Sequence, residues 1–228
     1  MSWLTSATEI DIPSAAHGTL PGFALQAGAS LYRIYRRPDA DWVPPPAQYR
    51  KGRVDPPPAN SSAYGLLYTA DSMVTAGFEA RILRPIKDAG GLNDIELVPE
   101  MVDAATGLVL NPAPMKAEHT TKKPVVFVDL ESPAIAAASG VEIGSPVPRI
   151  SSWRKLTLWV YDELIAKGDG SSILPLVGVS YISTLQDCTG RNFAIFEERR
   201  DAHISRGAPP ASQVPLDLEE LQRIWASA

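Results

Sequence analysis

Four side chains in this 228-residue chain combine chemical capability with positions that a purely structural role explains poorly. Arg33 stands inside the apolar run "LYRIY", and charged side chains are seldom buried without a partner. Tyr68 closes "GLLY", where a core aromatic is the simplest reading. Glu79 lies in "DSMVTAGFEARIL", flanked by Ala76, Ile82 and Leu83. It therefore borders an apolar stripe instead of opposing it, and a solvated charge and a reacting carboxylate both fit that position. Ser183 ends "VGVSYIS", either as a hydroxyl turned into a cleft or as a cap on the next turn. An arginine, a glutamate and two hydroxyls, each at or near the end of an element beside the core, suit an anionic ligand that carries a ribose.

The elements that must position these residues follow from periodicity. Residues 1–28 read as an irregular N-terminal arm. "ASLYRIYRR" reads as a strand, rich in β-favouring side chains around Arg33. A proline-rich loop, "WVPPPAQYRKGRVDPPPAN", leads to a second strand, "GLLYTA". A helix follows, capped by Asp71 or Ser72, with Val74, Phe78 and Ile82 on its apolar side and Glu79 in its middle. Further on, "DIELVP" reads as a strand, "NPAPMKAEHTTKKP" as an irregular connection and "PVVFVDL" as a buried strand. "SPAIAAAS" is a short helix with Ser132 as cap and Pro133 at its first position. "SSWRKLTLWVYDELIAKG" has the strongest helical pattern, with Trp153, Leu156, Val160 and Leu164 on one face and Gly168 at its end. "LPLVGVSYIS" and "NFAIFEER" read as strands around the turn "TLQDCTGR", and "PLDLEELQRIWA" as an amphipathic helix built on Leu218, Leu221 and Trp225. Strands and helices mix without a regular βαβ spacing, which predicts an α+β fold of mixed or antiparallel sheets with flanking helices.

Composition narrows the function classes. A net charge of −5 gives the whole chain no electrostatic drive toward nucleic acid. The local cluster Arg33, Arg36, Arg37, Arg50, Lys51 and Arg53 is interleaved with proline, so it fits a solvated loop or a small phosphorylated ligand better than DNA. One cysteine, Cys188, leaves no internal disulfide and no multi-cysteine zinc site. His17, His119 and His203 fall in predicted loops, far apart in sequence, so a zinc site would need carboxylates to complete it. Neither G-x-G-x-x-G nor a P-loop is present. "GVSYI" is half a nucleophile elbow without its second glycine, followed only by His203. The N-terminus lacks a basic start and a signal-length apolar run, and no stretch reaches the ~18–20 apolar residues of a membrane span. A soluble, cytoplasmic protein without direct nucleic-acid or membrane partners is the expectation.

Four blocks in order, "LYRIY", "GRVDPPP", "GLLYTADSMVTAGFEA" and "GVSYISTLQDCTGRNFAIF", resemble the RES domain, the toxin half of RES–Xre toxin–antitoxin pairs. The resemblance covers about residues 30–197. It implies a catalytic domain over 29–200 with an ADP-ribosyltransferase-like fold, an insertion at about 85–122, and a separate loop and helix at 201–228. Two departures stand out. The family's "RFNPPG" block is "RVDPPP" at 53–58, without the closing glycine, and the segment after Glu79 is longer. The resemblance implies a toxin that consumes NAD⁺ as substrate, with no further cofactor and no metal, by glycohydrolase or phosphorylase cleavage of the nicotinamide–ribose bond. Transfer of ADP-ribose to a host protein is the alternative, and a non-catalytic interaction module on the same scaffold is a third reading. Carried over, Glu79, Arg33, Tyr68 and Ser183 are the catalytic set, Arg33, Arg53, Tyr32, Tyr68 and Ser183 bind substrate, and an Xre-type antitoxin is the partner. Oxocarbenium-like charge on the ribose would be stabilised by the Glu79 carboxylate, with Arg33 on pyrophosphate or ribose oxygens and the Tyr68 ring against nicotinamide.

Overall fold

A computed structural model describes residues 7–36, 40–88, 91–98, 113–143, 149–168, 174–183, 190–207 and 214–226. The first two strands, β1 (Ala7–Ser14) and β2 (Gly18–Leu25), form an antiparallel hairpin where an irregular arm was expected. Its signal is the alternation in "EIDIPS", which buries Ile12 and Ser14 and exposes the residues between, while Gly18 (φ +73°) closes the turn. Strand β3 (Ser30–Tyr35) follows, then β4 (Leu66–Ala70), helix α1 (Met73–Glu79), and the separate hairpin of β5 (Leu83–Asp88) and β6 (Gly91–Leu97). Strand β7 (Met115–Thr121) occupies part of the expected irregular connection and pairs along the whole of β3. Three of its residues, His119, Thr120 and Thr121, follow in succession, and pairing with a buried neighbour decides the conformation that this polar composition leaves open.

Next come β8 (Val125–Asp129), α2 (Pro133–Ser139), α3 (Ile150–Trp159) with a wider π-type turn over 160–166, β9 (Leu176–Ile182) and β10 (Arg191–Phe196). The strand expected through "NFAIFEER" stops at Phe196, where α4 (Glu197–His203) begins. Two short strands, β11 (Ile204–Ser205) and β12 (Val214–Pro215), and helix α5 (Leu218–Ala226) complete the order. The main sheet is mixed and ten-stranded, running β1–β2–β8–β9–β10–β4–β3–β7–β11, with β12 also on β7. Its one parallel pair, β8–β9, needs a long crossover, which α2 and α3 supply. The fold is α+β, as expected. Strands from residues 7–25 and 204–215 belong to the same sheet as the central segment.

The sheet is apolar on both faces. Leu66, Val128, Tyr181, Ala194 and Phe196 pack under α2 and α3 through Ile135, Trp153, Leu156, Val160 and Leu164. The opposite face gathers Phe23, Leu31, Leu67, Phe127, Phe193 and Ile195, with the Phe127 and Phe193 rings 4.9 Å apart. Each such side chain contributes about 1.5–3 kcal/mol on burial, so this double-sided core is what holds the strands in register. A third cluster joins α1, the β5–β6 hairpin and α5 through Val74, Phe78, Ile95, Leu221 and Trp225. The apolar side of α5 is therefore already covered within the chain. Among the described residues no helix is long and apolar enough to cross a membrane.

Candidate functional site

The site begins where the sheet parts. Strands β3 and β4 share only the register pair Tyr32–Ala70, while β3 stays paired to β7 from Ser30 to Tyr35. Below that pair the two strands diverge and leave β4 carbonyls without a strand partner. Arg33 fills the gap: its Nη1 donates to the Tyr68 carbonyl at 2.6 Å, and its Nε donates to the Ala40 carbonyl at 2.6 Å. An unpaired buried carbonyl is costly, so a charged, forked donor at this point stabilises the opening. Arg33 thus acts first as a wedge that keeps two strands apart.

Glu79 is delivered from the other side. Ser72 caps α1 by accepting the Thr75 N–H at 3.0 Å. The helix ends sooner than the apolar pattern suggested: Arg81 adopts φ +55°, its N–H donates to the Phe78 carbonyl, and the Ile82 N–H donates to the Gly77 carbonyl. That is a Schellman ending with an arginine where glycine is usual, closed by contact between Ala76 and Ile82. Glu79 is consequently the last helical residue, not a mid-helix one. A carboxylate there faces the negative end of the helix dipole, so other groups must hold it. Three do: Asn192 Nδ2 donates to Oε2 at 3.1 Å, the Tyr181 hydroxyl donates to Oε1 at 3.4 Å, and Arg53 Nη2 lies 3.6 Å from Oε2.

Arg53 is itself fixed. Its guanidinium carbon lies 4.4 Å from the centre of the Tyr181 ring and 5.4 Å from that of Trp153, and Nη2 donates to the Ile182 carbonyl at 3.2 Å. Two residues on, Asp55 is buried and accepts the Gly52 N–H at 2.6 Å. The Tyr68 hydroxyl is buried beside the Asp55 carboxylate. Burial, and then the nearby Asp55 carboxylate, push its pKa well above the ordinary phenol value, so it stays protonated.

These groups surround one cavity of about 510 Å³, lined by Tyr32, Arg33, Tyr49, Asp55, Tyr68, Glu79 and Asn192 among others. Of the residues singled out from sequence, Tyr32, Arg33, Tyr68 and Glu79 meet there, and Arg53 reaches Glu79. Ser183 does not line the cavity. It sits just past β9, 4% exposed, its hydroxyl without a partner among the described residues and its N–H bonded to the Gly190 carbonyl. Cys188 and the turn around it lie outside the described residues, as does Arg37. Of the histidines, only His17 lies in a loop: His119 is buried within β7, and His203 ends α4. Among the described residues no group of three or more His, Cys, Asp or Glu could hold a metal.

Sequence reasoning missed Tyr181, Asn192, Asp55 and Tyr49. Tyr181 and Asn192 are direct partners in the β9–β10 register. They were within reach of a hairpin argument, had the length of the turn between them been fixed by its residues. A second cavity, about 570 Å³, contains Glu9, Asp11, Asp129, Glu131 and Arg191. Within it Arg191 bonds Asp129 at 2.9 Å, and Glu131 accepts the Ile182 N–H at 3.1 Å. None of the sequence-selected residues lines it, so the smaller cavity is the stronger candidate. No family model matches the chain, and no curated protein matches it.

Proposed function

We propose that the chain cleaves the nicotinamide–ribose bond of NAD⁺, with Glu79 stabilising the positive charge that develops on the ribose. The observation that carries this reading is convergence: Tyr32 and Arg33 from β3, Tyr68 from β4 and Glu79 from α1 line one cavity. The parting of β3 from β4 around that cavity supports an ADP-ribosyltransferase-like reading of the sheet.

In this mechanism the C–N bond breaks with its electron pair leaving on nicotinamide, which departs neutral. The ribose carbon becomes oxocarbenium-like, and a fixed carboxylate beside it lowers the energy of that charge. Arg53 beside Glu79 keeps the carboxylate compensated before substrate arrives. Arg33 commits two donors to backbone carbonyls, so its role is to hold the opening and lend positive charge to the wall where the diphosphate would lie. Tyr68 offers the edge or face of a ring from the cavity floor. An acceptor, whether water, phosphate or a protein side chain, then takes the ADP-ribosyl group. Loss of NAD⁺ would make the protein a toxin of the cytoplasm, held in check by an Xre-type antitoxin.

The test is incubation of purified protein with NAD⁺ labelled in its adenosine half. Loss of NAD⁺ with release of nicotinamide supports the reading. Label in free ADP-ribose or its phosphate marks cleavage, whereas label on protein marks transfer. Intact NAD⁺ under all conditions would overturn it.

A further inference from the structure

Glu79 is an anion at the unfavourable end of a helix, and a single cross-strand pair holds both of its oxygens. Tyr181 and Asn192 stand opposite one another in the β9–β10 ladder and are 0% and 1% exposed. Directly opposed residues of antiparallel strands project from the same face, so hydroxyl and amide arrive side by side. One donates to Oε1 and the other to Oε2. An ionised carboxylate only accepts, which fixes the Asn192 amide with nitrogen toward Glu79. Two donors on two oxygens settle the rotation of the carboxylate plane, which one partner would leave open.

We propose that Tyr181 and Asn192 are the positioning residues of this site, a neutral clamp that sets the aim of Glu79. The proposal deepens the NAD⁺-cleaving reading and rests on it for the word catalytic, but the clamp itself is a statement about Glu79. The charged and titratable groups that face Glu79 are Arg53, from the loop before β4, and Tyr181; Arg33, Asp55, Tyr32 and Tyr68 share the cavity walls. Burial first, and the Glu79 charge second, push the Tyr181 pKa well above its ordinary value, so its hydroxyl remains a donor throughout the working range.

Asn192→Asp and Tyr181→Phe test the clamp with little change of shape. The first readout needs no substrate: the side-chain carboxyl carbon of Glu79, followed by NMR through a pH titration. Asn192→Asp places a second carboxyl where the amide donor was, about 3 Å away, so the pair shares a proton and its upper apparent midpoint rises whatever the role of the amide, which makes this variant the control that the resonance reports on Glu79. Tyr181→Phe removes a bond to the charged form and raises the midpoint by a smaller amount. The second readout uses NAD⁺: the acid limb of kcat moves in the same direction, Tyr181→Phe lowers kcat about tenfold, and KM stays within about twofold. A merely structural pair would lower thermal stability while Tyr181→Phe left the Glu79 midpoint and kcat unmoved, which overturns the clamp. If Glu79→Gln turns over NAD⁺ like the wild type while Tyr181→Phe shifts the midpoint, the functional reading fails and the clamp stands. If Glu79→Gln is inactive and Tyr181→Phe leaves the midpoint where it was, the clamp fails and the functional reading stands.

Discussion

His119 ties the floor of the site to the far edge of the sheet, and acid should loosen that tie by a calculable amount. Its ring is fully buried, edge-on to Trp42 at 5.1 Å. Nδ1 accepts the Gly207 N–H at 3.1 Å, which leaves the proton on Nε2 to be donated to the Asp41 carbonyl at 2.9 Å. Asp41 in turn holds Arg206 through two bonds, and neighbouring Ala40 supplies the carbonyl that receives Arg33 Nε. Burial opposes a charge on the ring, and the Arg33 charge adds to this, so the pKa falls from the ordinary 6.5 to about 4. In the unfolded chain the ring takes its proton near the ordinary value. Its contribution is therefore complete above about pH 6.5, declines as the pH falls, and is exhausted by about pH 4. At ~1.4 kcal/mol per pH unit the loss across that window is about 3 kcal/mol.

The assay is urea unfolding of wild type and His119→Gln at several pH values from about 7 to about 4. Other groups also make stability depend on pH, including Asp71 and Glu131, whose pKa values burial raises. The informative quantity is consequently the difference between the two proteins. The glutamine variant should be less stable at neutral pH, and the gap should close by about 3 kcal/mol on acidification. A gap that stays constant with pH would refute the argument that His119 is locked neutral.

Two smaller perturbations test the elements that aim the site. Ser72→Ala removes the cap of α1 and should lower stability by about 1 kcal/mol in urea unfolding; a change of no more than a few tenths would contradict the capping assignment. Gly52→Ala would set a methyl group against the Tyr68 hydroxyl and 3.0 Å from the Asp55 carboxylate, inside a crowded wall of the cavity. It should cost about 1–3 kcal/mol and weaken ligand binding, and unchanged stability with unchanged NAD⁺ turnover would mean that this wall is not packed as described.

The sheet's interior was legible because its strands carry buried apolar runs, as in "VVFVD" and "NFAIF", and helices α2 and α3 because Ser132, Pro133 and the Trp153–Leu156–Val160–Leu164 face are local signals. Strand β7 was not, since it is largely polar and becomes a strand by pairing with the distant β3; β1 carries an alternation that was passed over, and β2, interrupted by Pro21 and Gly22, is completed by pairing with β1 and β8. The same limit applies to the site. The nature of Arg33 and Glu79 was readable, but Arg33's use as a strand wedge depends on where β3 leaves β4, a non-local event. Glu79's position at a helix end depends on Arg81 adopting a left-handed backbone, which an arginine does not announce. Its partners Tyr181 and Asn192 are set by hairpin register. Ser183 shows the converse: its place at a strand end was read correctly, yet it does not line the cavity that the other residues share.

The most direct test is NAD⁺ consumption by wild type beside Glu79→Gln, a substitution that keeps the shape of the side chain while removing the charge. With the carboxylate stabilising an oxocarbenium-like state, the wild type should release nicotinamide, and the variant, folded to the same extent by circular dichroism, should lose about two orders of magnitude or more in turnover. Equal nicotinamide release by the two proteins, or none by either, would contradict the assignment of Glu79 as the residue that does the chemistry.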